Sequence, residues 1–369
     1  MSYTSRDIAL EALFHPLAVG QLQWPNGRVL FLRGREGAAM HAQPLAGMVA
    51  TQPFKPEADR LARLGVDMAD EAALPAARFS LVLLLPPRQR EEARALFAKA
   101  SAAVAEGGVI VVAVTNDEGA KSREADFKQL VGSVSVASKH HCRVFWSAPG
   151  ATVDAALQAQ WAVADAPRLI TAADVPGGSF QTRPGVFAWD RVDAASALLA
   201  SALPNDLHGR VADLGAGWGY LTLQVLARCP QVTSVDLYEA DARALALAQA
   251  NLADARILPV QFHWQDVAAG VSERYDAIVC NPPFHALGRG DRPDIGRAFI
   301  AAAAQALNPG GRLWLVANRH LPYEQALAEG FAEVAIVAQN AGFKIVRATK
   351  AQVARTAPAR AAKPPRYKR

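Results

Sequence analysis

From residue 209 to 349, apolar runs of strand length alternate with longer stretches whose apolar residues recur at helical spacing. "GRVADLG" (209–215), "QVTSVDLYE" (231–239), the middle of "ILPVQFHWQD", "YDAIVCNPP" and "GGRLWLVAN" read as buried strands, and "FKIVRAT" ends the sheet. Between them, "GYLTLQVLARC", "ADARALALAQANLADA" and "IGRAFIAAAAQAL" read as helices. Strands alternating with helices of this length demand right-handed crossovers, hence an α/β fold with a doubly wound, mostly parallel sheet. Ligands of such sheets bind beyond the carboxyl ends of the strands, near the point where the strand order reverses.

The first half repeats the pattern. "RFSLVLLLPP" (78–87) aligns with "RYDAIVCNPP", "AEGGVIVVAVTN" with "NPGGRLWLVANR", and "VSVASKHHCRVFWSA" with "VAIVAQNAGFKIVRA". The three matches keep their order at a nearly constant separation of about 200 residues, as expected of a duplicated fold. The boundary is placed in the turn-rich 165–182, giving a first domain over 1–165 and a second over 166–350. The first half has no Gly-rich turn after a strand; "RVLFLRGREGAAM" comes nearest, and Leu85 stands where the second half has Asn281. The first copy is therefore expected to keep its core without a polar site, as a scaffold or recognition surface.

Composition fits two globular domains: 51% apolar and 20% charged residues over 369 positions. Three scattered cysteines exclude a disulfide framework or a zinc spacing, which points to a reducing cytoplasm. The N-terminus lacks the apolar stretch of a signal peptide, and the longest apolar runs are too short to span a bilayer. The net charge of +5 is unevenly placed. The last twenty residues carry seven Lys/Arg and no acid, so 351–369 is expected to be a disordered basic arm suited to phosphates.

"VADLGAGWGY" sets Asp213, Gly215, Gly217 and Gly219 at a strand-to-helix turn, where glycines let a ligand approach the backbone. Alone it fits a dinucleotide fold or a structural turn equally. Glu239, 24 residues after Gly215, ends the next strand where a carboxylate accepts from a ribose diol. Asp236 falls inside that strand and Asp241 starts the following helix. Asp266 ends strand three, either as an adenine contact or as a turn aspartate. "CNPPFH" (280–285) then closes the fourth strand with two prolines, flanked by Asn281 and Phe284. "KHH" (139–141) is rejected as a metal site, since adjacent histidines on a strand point apart.

In order and spacing, "DLGAGWGYL", Glu239, Asp266 and "NPPF" resemble the class I S-adenosylmethionine-dependent methyltransferases that modify exocyclic or amide nitrogens. "NPPFH", "LWLVANRHLPYE" and "FKIVRATK" further resemble the bacterial ribosomal RNA guanine-N2 methyltransferases (RsmC/RlmG type), whose two Rossmann-like domains include a non-catalytic first copy. The resemblance implies that Asp213 and the glycines hold the methionine portion of S-adenosyl-L-methionine, Glu239 its ribose and Asp266 its adenine. Phe187, in "FQTRPGVFAWDRVDAASALLASALP", is an expected cofactor contact in a segment that closes over it. Asn281 and the Pro282 carbonyl would accept from the guanine amine, held beside Pro283, and Phe284 would stack on the base. Small-subunit 16S rRNA is the preferred substrate, with S-adenosyl-L-homocysteine the product. Large-subunit rRNA, adenine N6 and protein glutamine N5 are the alternatives, and a non-enzymatic, RNA-binding assembly factor is the reading from another class. A cytoplasmic monomer without metal is expected. His285, Arg319 and Lys344 are candidate substrate or phosphate contacts.

Overall fold

The computed structural model describes residues 7–76, 78–254, 258–283, 293–340 and 342–352. Phe284, His285 and the basic arm from Val353 onward lie outside the described residues. In the first half, α1 (Ile8–Ala18) leads into β1 (Val29–Leu32), α2 (Ala38–His41), β2 (Met48–Thr51), α3 (Lys55–Arg63) and β3 (Asp67–Met68). Then come β4 (Phe79–Leu84), α4 (Arg90–Ala103), β5 (Val104–Thr115), α5 (Ala120–Val131), β6 (Val134–Lys139), β7 (Cys142–Ser147) and α6 (Ala155–Ala162). A hairpin of β8 (Arg168–Thr171) and β9 (Ser179–Thr182) follows. The second half runs α7 (Ala194–Ala202), β10 (His208–Leu214), α8 (Tyr220–Arg228), β11 (Gln231–Glu239), α9 (Ala242–Asn251) and β12 (Val260–Trp264). It ends with β13 (Tyr275–Cys280), α10 (Pro293–Ala306), β14 (Leu307–Asn318), α11 (Glu324–Gly330), β15 (Glu333–Gln339) and β16 (Phe343–Thr349).

The two sheets share one topology. The first is ordered β3-β2-β1-β4-β5-β7-β6 and the second β12-β11-β10-β13-β14-β16-β15. In both, the penultimate strand (β7, β16) runs antiparallel to its two neighbours and all other pairings are parallel. The middle strands are buried on both faces, so they read as continuous apolar runs; residues 277–280 of β13 are 0–1% exposed. Separate apolar clusters on each side of each sheet form the cores. The strand order reverses between β10 and β13, and both "LGAGWGY" and "NPP" leave the sheet there.

Two expectations are corrected. "FKIVRAT" does not end the sheet: β16 lies between β14 and β15, and the largely exposed β15 is the edge. His140 and His141 are not strand residues. Both have positive φ (49° and 60°) and form the two-residue turn of the β6–β7 hairpin, the backbone that a type I′ turn requires. The hairpin within 165–182 packs into the second domain. There Phe180 stacks on Trp218 at 4.0 Å and 9° between planes.

The halves are joined through equivalent segments, the turns that follow β2 and β11. Phe54 and Asp241 form an antiparallel bridge. Lys55 N–H donates to Ala240 O at 2.8 Å, and Ala242 N–H donates to Pro53 O at 2.9 Å. Trp264 Nε1–H adds bonds of 2.9 Å to both Pro53 O and Ala240 O, with Lys55 Nζ 4.9 Å from its ring centre.

Candidate active site

Three glycines shape the turn after β10, with φ of 78° at Gly215, 56° at Gly217 and 95° at Gly219. A Cβ at Gly219 would meet Ala248 and Leu252 at 3.4 Å, so that glycine admits α9, whereas a Cβ at Gly217 would point into open space. Gly217 is thus the point at which a ligand can reach the backbone. Glu239 ties this turn to the end of β11. Its Oε2 accepts from Gly217 N–H and its Oε1 from Asp241 N–H, both at 2.8 Å. Each carboxylate oxygen keeps a further lone pair, the acceptor pair a vicinal diol needs. Burial raises the Glu239 pKa, against the pull of those backbone donors.

Asp213 is fully buried. Its Oδ2 accepts from Thr222 N–H (3.1 Å) and Thr222 Oγ1–H (2.8 Å), and its Oδ1 has no partner among the described residues. Burial pushes its pKa up to about 7. A buried acceptor left open beside a Gly-rich turn, together with the open space at Gly217 and the free lone pairs of Glu239, fits the cofactor that the resemblance implies.

Asn281 leaves β13 at the other side of the reversal; a Cβ on Gly215 would lie 3.6 Å from its carbonyl oxygen. The Asn281 amide donates to Asp193 Oδ2 at 3.0 Å and to Ser196 Oγ at 2.8 Å. Both its N–H donors are engaged, so Oδ1 is what it can offer a ligand. The neighbouring Cys280 is no nucleophile, because burial, and then Asp213, hold its thiol well above the ordinary range. Pro282 is buried and Pro283 exposed.

Asp266 caps a short 3-10 turn, with Oδ1 accepting from Ala268 N–H at 2.9 Å, as a turn aspartate would. Phe187 is 68% exposed and sits between two anchors. Gly185 O accepts from Arg243 Nη2 (3.4 Å) next to Asp241, and Asp193 holds Asn281. The segment 185–196 therefore spans the mouth from Glu239's end to Asn281's. Lys344 is corrected as a phosphate contact. It is 5% exposed, and its Nζ donates to Glu324 Oε1 (2.6 Å) and Leu321 O (3.2 Å). Arg319 is exposed at the end of β14.

The first domain repeats this geometry without its chemistry. By strand register Phe31 stands for Asp213, Gln52 for Glu239 and Leu85 for Asn281. Gln52 repeats half of the bonding, accepting from Phe54 N–H at 3.0 Å, but its NH2 donates to Gly34 O at 2.7 Å where Glu239 accepts from Gly217 N–H. At the position of Gly215 stands Arg33, left-handed at φ 54°. Its guanidinium meets Glu71 (3.0 Å) and Glu92 (3.1 Å), and Lys99 completes the cluster on Glu71 (2.7 Å). From the second domain Arg243 reaches in to pair with Glu92 while holding Asp241 at 2.6 Å. Burial raises the Glu92 pKa against Arg243 and Arg33; at Glu71, Arg33 and Lys99 outweigh burial and lower it.

Sequence reasoning missed Asp193, Ser196, Arg33 and Arg243. "DAAS" carries only a helix-cap signal, and an ion pair 151 residues apart leaves no local pattern.

Residues 177–347 match the family model of the methyltransferase small domain. The ribosomal RNA small subunit methyltransferase C of Psychromonas ingrahamii is 30% identical over 274 residues, covering 73% of this chain and 75% of that protein. The protein of the same name from Erwinia tasmaniensis is 38% identical over 175 residues, 47% of this chain and 50% of its own. Among solved structures, the T. thermophilus 16S rRNA N2 G1207 methyltransferase (RsmC), in complex with AdoMet and guanosine, superposes with a TM-score of 0.76. It is 27% identical, and the match covers 94% of this chain and 93% of that one. Two like-folded domains, one with an intact polar site and one without, and relatives aligned across both place this chain in the ribosomal RNA small subunit methyltransferase C family.

Proposed function

We propose that the protein transfers a methyl group from S-adenosyl-L-methionine to the exocyclic N2 of a guanine in 16S rRNA of the small subunit, releasing S-adenosyl-L-homocysteine. The observation that carries this reading is the Asn281 amide. With both N–H groups engaged by Asp193 and Ser196, its Oδ1 selects a substrate that donates a hydrogen bond, as an exocyclic amine does. Support also comes from the T. thermophilus relative, which is bound to AdoMet and guanosine.

The cofactor supplies a methyl already activated on a sulfonium. Glu239 would accept from its ribose diol, Asp266 would face its adenine, and Asp213 with Gly215, Gly217 and Gly219 would receive its methionine end. Phe187 would lie over it. Asn281 Oδ1 and the Pro282 carbonyl would accept hydrogen bonds from the two amine N–H groups and turn the nitrogen lone pair toward the methyl; the one proton displaced by the new C–N bond leaves to solvent. Positioning of this kind carries most of the acceleration when the donor is already activated. Pro283 makes the strand end rigid, and Phe284 would offer a stacking face to the base.

The same reading takes 1–165 as scaffold and RNA-recognition domain, 166–350 as the catalytic unit and 351–369 as a basic arm for the phosphate backbone, in a cytoplasmic monomer. Among the described residues no helix is long and apolar enough to cross a membrane, and no group of three or more His, Cys, Asp or Glu could hold a metal ion. The test is incubation with methyl-labelled S-adenosylmethionine and small or large ribosomal subunits or naked rRNA, followed by digestion to nucleosides. Labelled N2-methylguanosine from 16S rRNA is expected. Label in methyladenosine, in 23S rRNA or in protein would overturn the assignment, and absence of transfer with tight RNA binding would favour an assembly factor.

A further inference from the structure

An asparagine amide is nearly symmetric in shape and opposite in chemistry at its two ends. Rotating it by about 180° swaps an acceptor for a donor at the same place. An Asn281 that presented its NH2 group would repel the N–H of an amine and reject the substrate. Something must therefore fix the orientation, and the prolines cannot, since they restrain only the backbone.

The fixing groups come from the first turn of α7. Asp193 Oδ2 receives one Asn281 N–H at 3.0 Å, and Ser196 Oγ receives the other at 2.8 Å. A carboxylate can only accept, so the nitrogen end must face Asp193 and Oδ1 must face away. The reverse orientation would set Oδ1 against a carboxylate oxygen. Asp193 is itself held, because the same Oδ2 accepts from Ser196 N–H at 2.9 Å as the cap of α7. Ser196 is 8% exposed, so water does not readily replace its hydroxyl. The helix N-terminus thus hands its capping aspartate to the strand end opposite.

We propose that Asp193 and Ser196 are positioning residues for methyl transfer: they lock the Asn281 amide with its oxygen toward the nucleophilic amine. The inference rests on the reading that Asn281 accepts from that amine. It adds a specificity filter, because a site locked as an acceptor takes amines and turns away ring or carbonyl acceptors.

A cap alone would give a different signature, namely a lowered melting temperature on Asp193→Ala with an unchanged transfer rate. The test is a double-mutant cycle read by single-turnover methyl transfer at saturating cofactor and RNA, with cofactor Kd measured alongside. Asp193→Ala and Ser196→Ala are each expected to lower the transfer rate about 10- to 100-fold, in keeping with a small misplacement of a reacting group. Cofactor Kd should stay within about threefold. Ser196→Ala leaves the cap in place and separates positioning from folding. Asp193→Asn, which keeps an oxygen for both bonds, should recover most of what Asp193→Ala loses. In an Asn281→Ala background, Asp193→Ala should add no further loss. If the losses multiply instead, Asp193 acts elsewhere and the positioning role is wrong while Asn281 keeps its part. If Asn281→Ala transfers methyl at the full rate, the acceptor reading itself fails and takes this proposal with it.

Discussion

Phe54 and Asp241 are bridge partners across the two domains, and they occupy the same position in the two copies of the fold. Each follows, by two residues, the side chain that turns back to hold its N–H: Gln52 for Phe54, Glu239 for Asp241. The reciprocal bonds Lys55 N–H to Ala240 O and Ala242 N–H to Pro53 O make the contact self-complementary, in the manner of a two-fold interface within one chain. The end of β11, which carries Glu239, is therefore braced by the first domain.

Glu239→Gln should loosen the turn somewhat, because its one oxygen can keep a single backbone N–H, as Gln52 keeps that of Phe54, while its NH2 faces the other donor. It should raise the cofactor Kd at least tenfold by replacing one diol acceptor with a donor. The transfer rate at saturating cofactor should stay within a few-fold of the unaltered protein. Titration calorimetry and single-turnover assays separate the two; an unchanged Kd would remove Glu239 from the ribose site.

Arg243→Ala strips Glu92 of its partner from the second domain and frees Asp241. Breaking a buried pair from one side costs about 3–5 kcal/mol. A thermal melt should show a drop of several degrees, and the cofactor Kd should rise as the turn under Glu239 loosens. A melt within one degree of the unaltered protein would show the pair to be dispensable.

Asp213 has a pH signature with a definite sign. Its ordinary pKa lies near 4, and burial pushes it up to about 7. The folded state thus binds the proton more tightly than the unfolded chain. The associated stability is complete below about pH 4 and is lost as pH rises to about 7. Cofactor affinity should move the other way, rising from pH 5.5 to 7.5 as the carboxylate forms and attracts the cationic methionine end. In Asp213→Asn both slopes should flatten, which melts and Kd values across that range would show.

Deleting the residues after Arg355 should weaken RNA binding mainly at low salt and reduce the salt dependence of log K, through loss of phosphate contacts. Filter binding between 50 and 300 mM salt, roughly the range where counterion release is resolved, checks it. An identical slope would make the arm irrelevant to RNA.

Much of the fold was legible because the middle strands are buried on both faces and read as apolar runs; β11 and β16 keep the bounds their sequences suggested. The duplication was legible too, since "LLLPP" and "CNPP" end equivalent strands. The place of β15 was not, because its run "VAIVA" is as apolar as an interior strand although most of its side chains are exposed at the sheet edge. Asn281, Glu239 and the glycines were readable from motifs that local chemistry constrains. Asp193, Arg33 and Arg243 act over long sequence separations, and their partners become visible only when the sheets are assembled.

Arg33 gives the duplication a direction. Matching the second copy's cleft would need a glycine at 33, acids at Phe31 and Gln52 and an amide at Leu85. The first of these steps alone would take the Arg33 guanidinium from both Glu71 and Glu92, leaving Lys99 and Arg243 as their partners. No single substitution improves chemistry there, and the glycine step weakens the seam on which the active copy leans. The N-terminal half is thus held away from cofactor chemistry by its own buried ion pairs, and what it can vary without disturbing them is its surface.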